Sequence, residues 1–153
     1  MKKKITLIFS ALILFLCACK TEPDAKTIKT EVLNIHDKLM IDGEKVVKNR
    51  MKLDTLLLSE KLKSRTDSSK QNISNLIKKL NEADENMMDW MHFFKDDFKG
   101  KTEKEDLDYY KSQMIKIREV EDSYIKVIRE SDSVLKVYNI NSAEKMEMSN
   151  HKH

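Results

Sequence analysis

Three long amphipathic stretches follow one another along the chain after residue 24. In the first, residues 25–63, apolar side chains recur at steps of 3, 4 or 7. That spacing keeps them on one side of an α-helix, so it predicts a helix with one buried face. The apolar residues on this face are Ile28, Val32, Ile35, Leu39, Val46, Leu53 and Leu57.

The second stretch, residues 67–99, has a stricter pattern, because its apolar steps alternate between 3 and 4 as in a heptad repeat. Residues 64–68, just before and at its start, offer several helix N-cap side chains. Gly100 follows it, at a position where helices commonly end in a left-handed residue. The predicted buried face consists of Ile73, Leu76, Leu80, Ala83, Met87, Trp90 and Phe94.

The third stretch, residues 102–138, begins with the sequence of a capping box. In this motif the side chains of Thr102 and Glu105 each accept a hydrogen bond from the other residue's backbone N–H. The predicted buried face consists of Leu107, Tyr110, Met114, Ile117, Glu121, Tyr124, Ile128, Ser131, Leu135 and Tyr138. Residues 139–153 show no periodicity and are predicted to form a disordered tail.

These patterns predict an all-α fold, namely an antiparallel up-down-up three-helix bundle with long, coiled-coil-like helices. The chain has only two Gly and one Pro in 153 residues, so it lacks the turn residues that a β-sandwich or barrel needs. Two other arrangements remain open. The helices could form a hairpin that pairs with another chain, or the chain could form a coiled-coil oligomer.

The short connections allow an estimate of which residues lie level in the bundle. If the two turns are centred near residues 65 and 100, Asn49 and Arg50 lie level with Glu121. A glutamate on a buried face is unfavourable unless it is paired, so Arg50 is its predicted partner. Alternatively, the carboxylate of Glu121 reaches water from the edge of that face.

Residues 1–18 have the features of a lipoprotein signal peptide. Three lysines precede the apolar run from Ile5 to Leu16, which has signal-peptide length and is too short to span a bilayer comfortably. The run ends in Leu-Cys-Ala-Cys, which resembles a bacterial lipobox. Cleavage before Cys19 would allow lipidation of this residue and leave residues 19–24 as an acylated cysteine and tether. The alternatives are an ordinary signal peptide and a retained transmembrane helix.

Removing residues 1–18 changes the charge balance. The full sequence has a formal net charge of +3, with 29 Lys and Arg against 26 Asp and Glu. The signal peptide holds three of those lysines and no acid, so the mature chain has 26 of each and no net charge. Without a basic excess, no nucleic-acid partner is predicted. Cys17 leaves with the signal peptide and Cys19 is acylated, so no thiol remains for a disulfide or a metal site.

Two histidines and several methionines are predicted to gather within about two turns of one end of the bundle. His36 and Met40 are four residues apart, as are Met88 and His92, so each pair shares a helix face. Thioether and imidazole groups together suit Cu(I), a soft ion. The candidate Cu(I) ligands are therefore His36, Met40, Met88, Met91 and His92.

Packing explains the same cluster without a metal. Methionine fills irregular gaps around a large side chain, and Met87 and Met114 are predicted to lie level with Gly43, close to Trp90. Gly43 costs about 1 kcal/mol inside a helix, and its predicted role is to leave room for Trp90 or Met87. The tail repeats soft ligands at Met146, Met148, His151 and His153, at the opposite end of the bundle.

No arrangement of residues predicts catalysis. Only His36 and His92 lie in the predicted bundle, no cysteine is free, and the serines fall in turns and on polar faces. The Glu-x-x-His motif of di-iron bundles is absent around both histidines. The chain is therefore not expected to be an enzyme.

Two short motifs behind the lipobox resemble those of a known group of proteins. They are His36-Asp37-x-x-Met40 and, over residues 83–91, Ala-Asp-Glu-x-Met-Met-Asp-Trp-Met. In these features the chain resembles small lipoproteins of certain Gram-negative bacteria that carry the automatic label "viral A-type inclusion protein". The resemblance covers most of residues 19–137. It implies a helical envelope lipoprotein and assigns no activity or viral role.

The sequence therefore predicts a non-enzymatic lipoprotein of the cell envelope, anchored to a membrane through Cys19. The outer membrane is the expected site, and the bundle faces the periplasm or the exterior. Residues 20–24 look like signals that send such lipoproteins to the surface. The bundle is expected to be an interaction or scaffolding module for a protein partner, or to form an oligomer. The alternative is a protein that binds or buffers Cu(I) through the His/Met cluster.

Overall fold

The structure is a computed structural model that describes residues 22–63, 65–96 and 100–140. These residues form the predicted all-α fold, with three long helices in an antiparallel packing arrangement. The long helices are α1 (Ala25–Leu58), α3 (Asp67–Phe93) and α4 (Glu103–Val137), and a short helix, α2 (Glu60–Lys63), follows α1. The predicted signal peptide, Cys19 and residues 141–153 lie outside the described residues. Among the described helices, none is both long enough and apolar enough to cross a membrane.

α3 runs back along α1, as the contacts between the two helices show. The ring of His36 lies 5.8 Å from that of Trp90. Further along α1, Arg50 Nη1 donates a 2.8 Å hydrogen bond to Oδ1 of Asn81, which comes earlier in α3. Positions that advance in α1 therefore meet positions that go back in α3.

α4 runs parallel to α1 and packs against it more extensively than against α3. Nζ of Lys38 lies 3.0 Å from a carboxylate oxygen of Glu121, and Nζ of Lys45 lies 2.6 Å from one of Asp132. The core lies between the three long helices. The first two predicted faces are buried, except that Leu57 and Phe94 are only partly so and Leu56 is buried beside Leu57.

Local capping explains where α1 and α4 begin and where α4 ends. Asp24 accepts a 2.7 Å hydrogen bond from the backbone N–H of Thr27, which starts α1. The predicted capping box of Thr102 and Glu105 is present at the start of α4. At the end of α4, Asn139 adopts a left-handed conformation with φ 54°.

Asn139 and the residue after it close α4 in a Schellman motif. The N–H of Ile140 donates to the carbonyl of Leu135 at 2.9 Å, and the N–H of Asn139 donates to that of Lys136 at 3.1 Å. Ile140 also packs against the core. The prediction that the tail begins at residue 139 is therefore wrong for these two residues, because they satisfy the last carbonyls of the helix.

α3 ends at Phe93, and the prediction that it continues to residue 99 is wrong. Phe94 turns to extended backbone, and its ring stacks on Trp90 at 4.7 Å. The next residues are held by α4, since Tyr110 donates its hydroxyl proton to the carbonyl of Asp96 at 3.1 Å. Gly100 is left-handed, with φ 87°, but it lies in the connection and does not end α3.

The buried face of α4 is rotated relative to the predicted one. Tyr110, Ile117, Tyr124, Ser131 and Leu135 are buried as predicted. Between them, the buried positions are Gln113, Val120 and Val127 instead of Met114, Glu121 and Ile128. Steps of 3 and of 4 both keep a residue on one helix face. The position of α1 decides which residue is buried. Lys38 of α1 pairs with Glu121, which holds Glu121 at the edge of the face and leaves Val120 in the core.

The predicted Arg50–Glu121 pair is wrong. Glu121 accepts hydrogen bonds from Lys38 at 3.0 Å and from Arg118 at 2.8 Å, about three helical turns from the expected level on α1. Extended residues follow Phe93, and each covers about twice the length of a helical residue. α4 therefore lies further along the bundle than a continuous helix up to residue 99 would place it. Burial opposes ionisation of Glu121, but its two cationic donors outweigh burial, and its pKa is lowered.

A different polar layer joins α1 to α4. Nδ2 of Asn49, which is buried, donates to Ser131 Oγ at 2.8 Å and to Asp132 Oδ1 at 2.9 Å. Ser131 is itself buried and donates to the carbonyl of Ile128 at 3.0 Å. Lys45 pairs with the other carboxylate oxygen of Asp132. This network satisfies a buried amide and fixes the register of the two helices.

Gly43 lies beside Tyr124, and neither Trp90 nor Met87 comes within 4 Å of a Cβ built there, so its predicted role of leaving room for Trp90 or Met87 is wrong. A Cβ built on Gly43 lies 3.6 Å from Tyr124 Oη and 3.9 Å from Cε2, which are ordinary van der Waals distances. The site is helical, and a methyl group fits there without displacing its neighbours. Glycine at this position therefore gains nothing in packing that offsets its cost in backbone entropy.

Replacing Gly43 with Ala should raise the free energy of unfolding by about 0.5–1 kcal/mol, which is the difference in helix propensity between the two residues. Urea unfolding followed by circular dichroism measures this change. The matched control is Gly100→Ala, which should lower stability because Gly100 has a left-handed backbone. A loss of stability in Gly43→Ala would contradict the packing described at this position.

Candidate functional site

An open groove of about 510 Å³ runs between α1 and α3, and methionine dominates its lining. Five of its twelve lining residues are methionines, and we call it the methionine groove. The methionines are Met40, Met51, Met87, Met88 and Met91. The remaining lining residues are Leu39, Gly43, Glu44, Val47, Lys48, Asp84 and Tyr124.

The groove arises where the flanks of two apolar faces meet. On α1, Met40 and Met51 are eleven residues apart, close to three full turns, so both lie on the side that faces α3. On α3, Met87 belongs to the buried face and is 2% exposed. Met88 lies on the outer edge of the groove and is 59% exposed, and Met40 opposite is 50% exposed. The thioethers therefore range from buried to open to solvent.

The two histidines lie outside the residues that line the groove. Nδ1 of His36 is 2.9 Å from a carboxylate oxygen of Asp37, and its ring faces Trp90. The ring of His92 packs edge-on against Phe93 at 4.9 Å. Of the five candidate Cu(I) ligands, the structure thus brings Met40, Met88 and Met91 into one groove. Metal binding itself stays a prediction.

Across the described ranges, no group of three or more His, Cys, Asp or Glu side chains is arranged to hold a metal ion. Met114, predicted beside Met87, packs partly buried against the core and does not line the groove. Trp90 is 6% exposed, which confirms that it belongs to the core. Within the described part of the chain, its Nε1 is buried and has no hydrogen-bond partner.

Tyr124 and Asp84 contribute polar groups to the groove. The hydroxyl of Tyr124 donates to Oδ1 of Asp84 at 3.5 Å. Burial, and then the negative charge of Asp84, raise the pKa of Tyr124 to about 12. The phenol therefore stays protonated and uncharged at neutral pH.

Among the groove residues that sequence analysis did not place at the site are Met51, Asp84 and Tyr124. For Met51 a signal was present, since its distance of three turns from Met40 places the two on one helix face. Asp84 and Tyr124 come from different helices, so their meeting depended on the register of α4, which the sequence predicted wrongly.

Comparisons with protein-family models, with curated proteins and with solved structures found no match to this chain. The resemblance to the Gram-negative lipoproteins therefore stays a prediction.

Replacing Tyr124 with Phe should remove a loss of stability that the wild-type protein shows in alkali. Below pH 10 this tyrosine is protonated in both the folded and the unfolded protein, so its ionisation does not lower the free energy of unfolding there. As pH rises from about 10 to about 12, the unfolded tyrosine ionises at its ordinary pKa of 10.0 while the folded one resists. The wild type should lose about 1–3 kcal/mol more than the variant over this range.

Urea unfolding at about pH 9 and about pH 11.5 measures this difference, and changes that both proteins share, such as lysine deprotonation, cancel. Tyr138→Phe is the control, because that side chain is only partly buried. An equal loss in wild type and Tyr124→Phe would contradict the burial of the phenol.

Proposed function

We propose that this protein is a non-enzymatic lipoprotein of the cell envelope whose helical bundle binds a protein partner in the methionine groove. The observation that carries the proposal is the open groove itself, in which five methionines lie between α1 and α3. Methionine side chains are flexible and polarizable, so surfaces rich in them adapt to apolar partners. A groove between two helices suits an amphipathic helix that lays its apolar face along it.

The charges in the groove support a partner helix that carries both acidic and basic residues beside its apolar face. Glu44 and Lys48 line the groove and pair with each other at 3.1 Å, and Asp84 adds a carboxylate on the α3 side. The groove therefore combines an apolar lining with a few charges that can select orientation. This pattern fits a peptide partner and gives no reason to expect nucleic acid.

Lipidation at Cys19 would hold this bundle close to a membrane. Glu22 already contacts the bundle, because its carboxylate lies 2.7 Å from Nζ of Lys111 on α4. Only six residue steps separate Cys19 from Ala25, the first residue of α1, so the anchor lies within about 20 Å of the helix start. We place the protein on the outer membrane, facing the periplasm or the exterior.

Cys19→Ser should release the protein from membranes, because both processing and acylation at a lipobox require this thiol. Fractionation of cells into soluble and membrane parts measures the change in the full-length chain. Cys17→Ser is the matched control and should remain membrane-bound. Membrane retention of Cys19→Ser after the signal peptide has been removed would overturn the lipoprotein assignment.

A photo-crosslinking amino acid at Met51 or at Met88 should capture the partner in living cells, because both positions line the groove and are about half exposed. The same residue at Ile125, which is exposed on α4 away from the groove, is the matched control. We expect one shared adduct from the two groove positions and none from Ile125. No adduct, or equal adducts at all three positions, would contradict the docking site. An adduct of twice the chain's own mass would identify a second copy of the chain as the occupant.

A further inference from the structure

Packing accounts for only some of the methionines in the groove. Met87 is almost completely buried and fills the core, as a gap-filling methionine does. Met40 and Met88 are half exposed or more, so packing in the core does not explain why methionine occupies these positions. The thioethers of Met40 and Met88 are therefore open to a small soluble ligand, and Met91 is partly buried against the core.

The helix register places three of the methionines along the same part of the groove. Met88 and Met91 are three residues apart on α3, so they are neighbours on one helix face. Met40 lies between His36 and Arg50 on α1, and these two contact Trp90 and Asn81. The antiparallel register between those contacts places Met40 across the groove from Met88. All three side chains line the same groove.

We propose that Met40, Met88 and Met91 form a Cu(I) site composed of three thioethers. Thioether sulfur is a soft ligand that selects Cu(I) over harder divalent ions. The site differs from the sequence-based one because His36 and His92 are excluded. It does not depend on the proposed protein partner, since all three ligands come from this chain.

The charges around the three sulfurs favour a cation. The groove lining carries the carboxylates of Glu44 and Asp84 and the single ammonium group of Lys48. Lys48 is already paired with Glu44, and Asp84 accepts its hydrogen bond from the neutral phenol of Tyr124. One negative charge therefore remains, and it attracts a monovalent cation.

The site can be tested on the full-length chain by titration with Cu(I) in ascorbate against a coloured Cu(I) chelator. All proteins carry Cys17→Ser and Cys19→Ser, so that no thiolate competes. The test variant replaces Met40, Met88 and Met91 with Leu, a change that conserves volume and the fold. The matched control replaces Met51, Met146 and Met148 with Leu. A second control replaces His36 and His92 with Gln.

We expect one Cu(I) site in the parent protein, its loss in the test variant, and its retention in both controls. Absence of the site in the parent protein, or its retention in the test variant, overturns the proposal. Loss in the histidine control would assign the site to imidazole and also overturn it. Because a destabilised test variant could lose the site indirectly, the NMR signals of the methionine methyl groups are followed in the parent protein. Ag(I), a redox-stable soft ion, should shift the signals of Met40, Met88 and Met91, and shifts confined to other methionines would refute the site.

Discussion

The buried amide of Asn49 determines how α1 and α4 are aligned. An amide enclosed in an apolar core costs free energy unless its donors are satisfied, and here Ser131 and Asp132 accept from it. Sliding α4 by one turn would remove both acceptors and leave the amide unpaired. The apolar side chains around it would tolerate several registers, because leucine packs against leucine at any level. This polar contact therefore selects one alignment of α1 and α4, and the positions of Glu121 and Tyr124 follow from it.

Tyr124 connects that alignment to the methionine groove. Its side chain crosses from α4 to lie beside Gly43 of α1 and Asp84 of α3, so it touches both walls of the groove. A shift of α4 would withdraw the phenol and deepen the groove. The shape of the surface on which the methionines lie is thus set by a residue on the third helix.

The helical class and most of the core could be predicted from the sequence, because the 3- and 4-residue spacing on α1 and α3 has one interpretation. The face of α4 could not, since Met114 and Gln113 both fit the pattern and only the packed neighbour distinguishes them. The end of α3 was missed because Phe94 continues the apolar spacing while its backbone is already extended. Of the five Cu(I) ligands that the sequence predicted, three line one groove and the two histidines do not. Helix spacing places a residue near a face, but it does not give the direction in which a side chain at the edge of that face points.

The caps of α1 and α4 also affect the electrostatics of the end of the bundle at which α1 begins. Because α1 and α4 run parallel, their amino ends, and so the positive ends of two helix dipoles, lie on that side of the bundle. Each is met by a carboxylate: Asp24 accepts from the backbone N–H of Thr27 at the start of α1, and Glu105 accepts from that of Thr102 at the start of α4. Hydrogen bonds from Thr27 and Thr102 lower the pKa of these groups, so they stay ionised in mild acid. The two poles are neutralised locally, so neither helix end presents an uncompensated positive dipole to an anion.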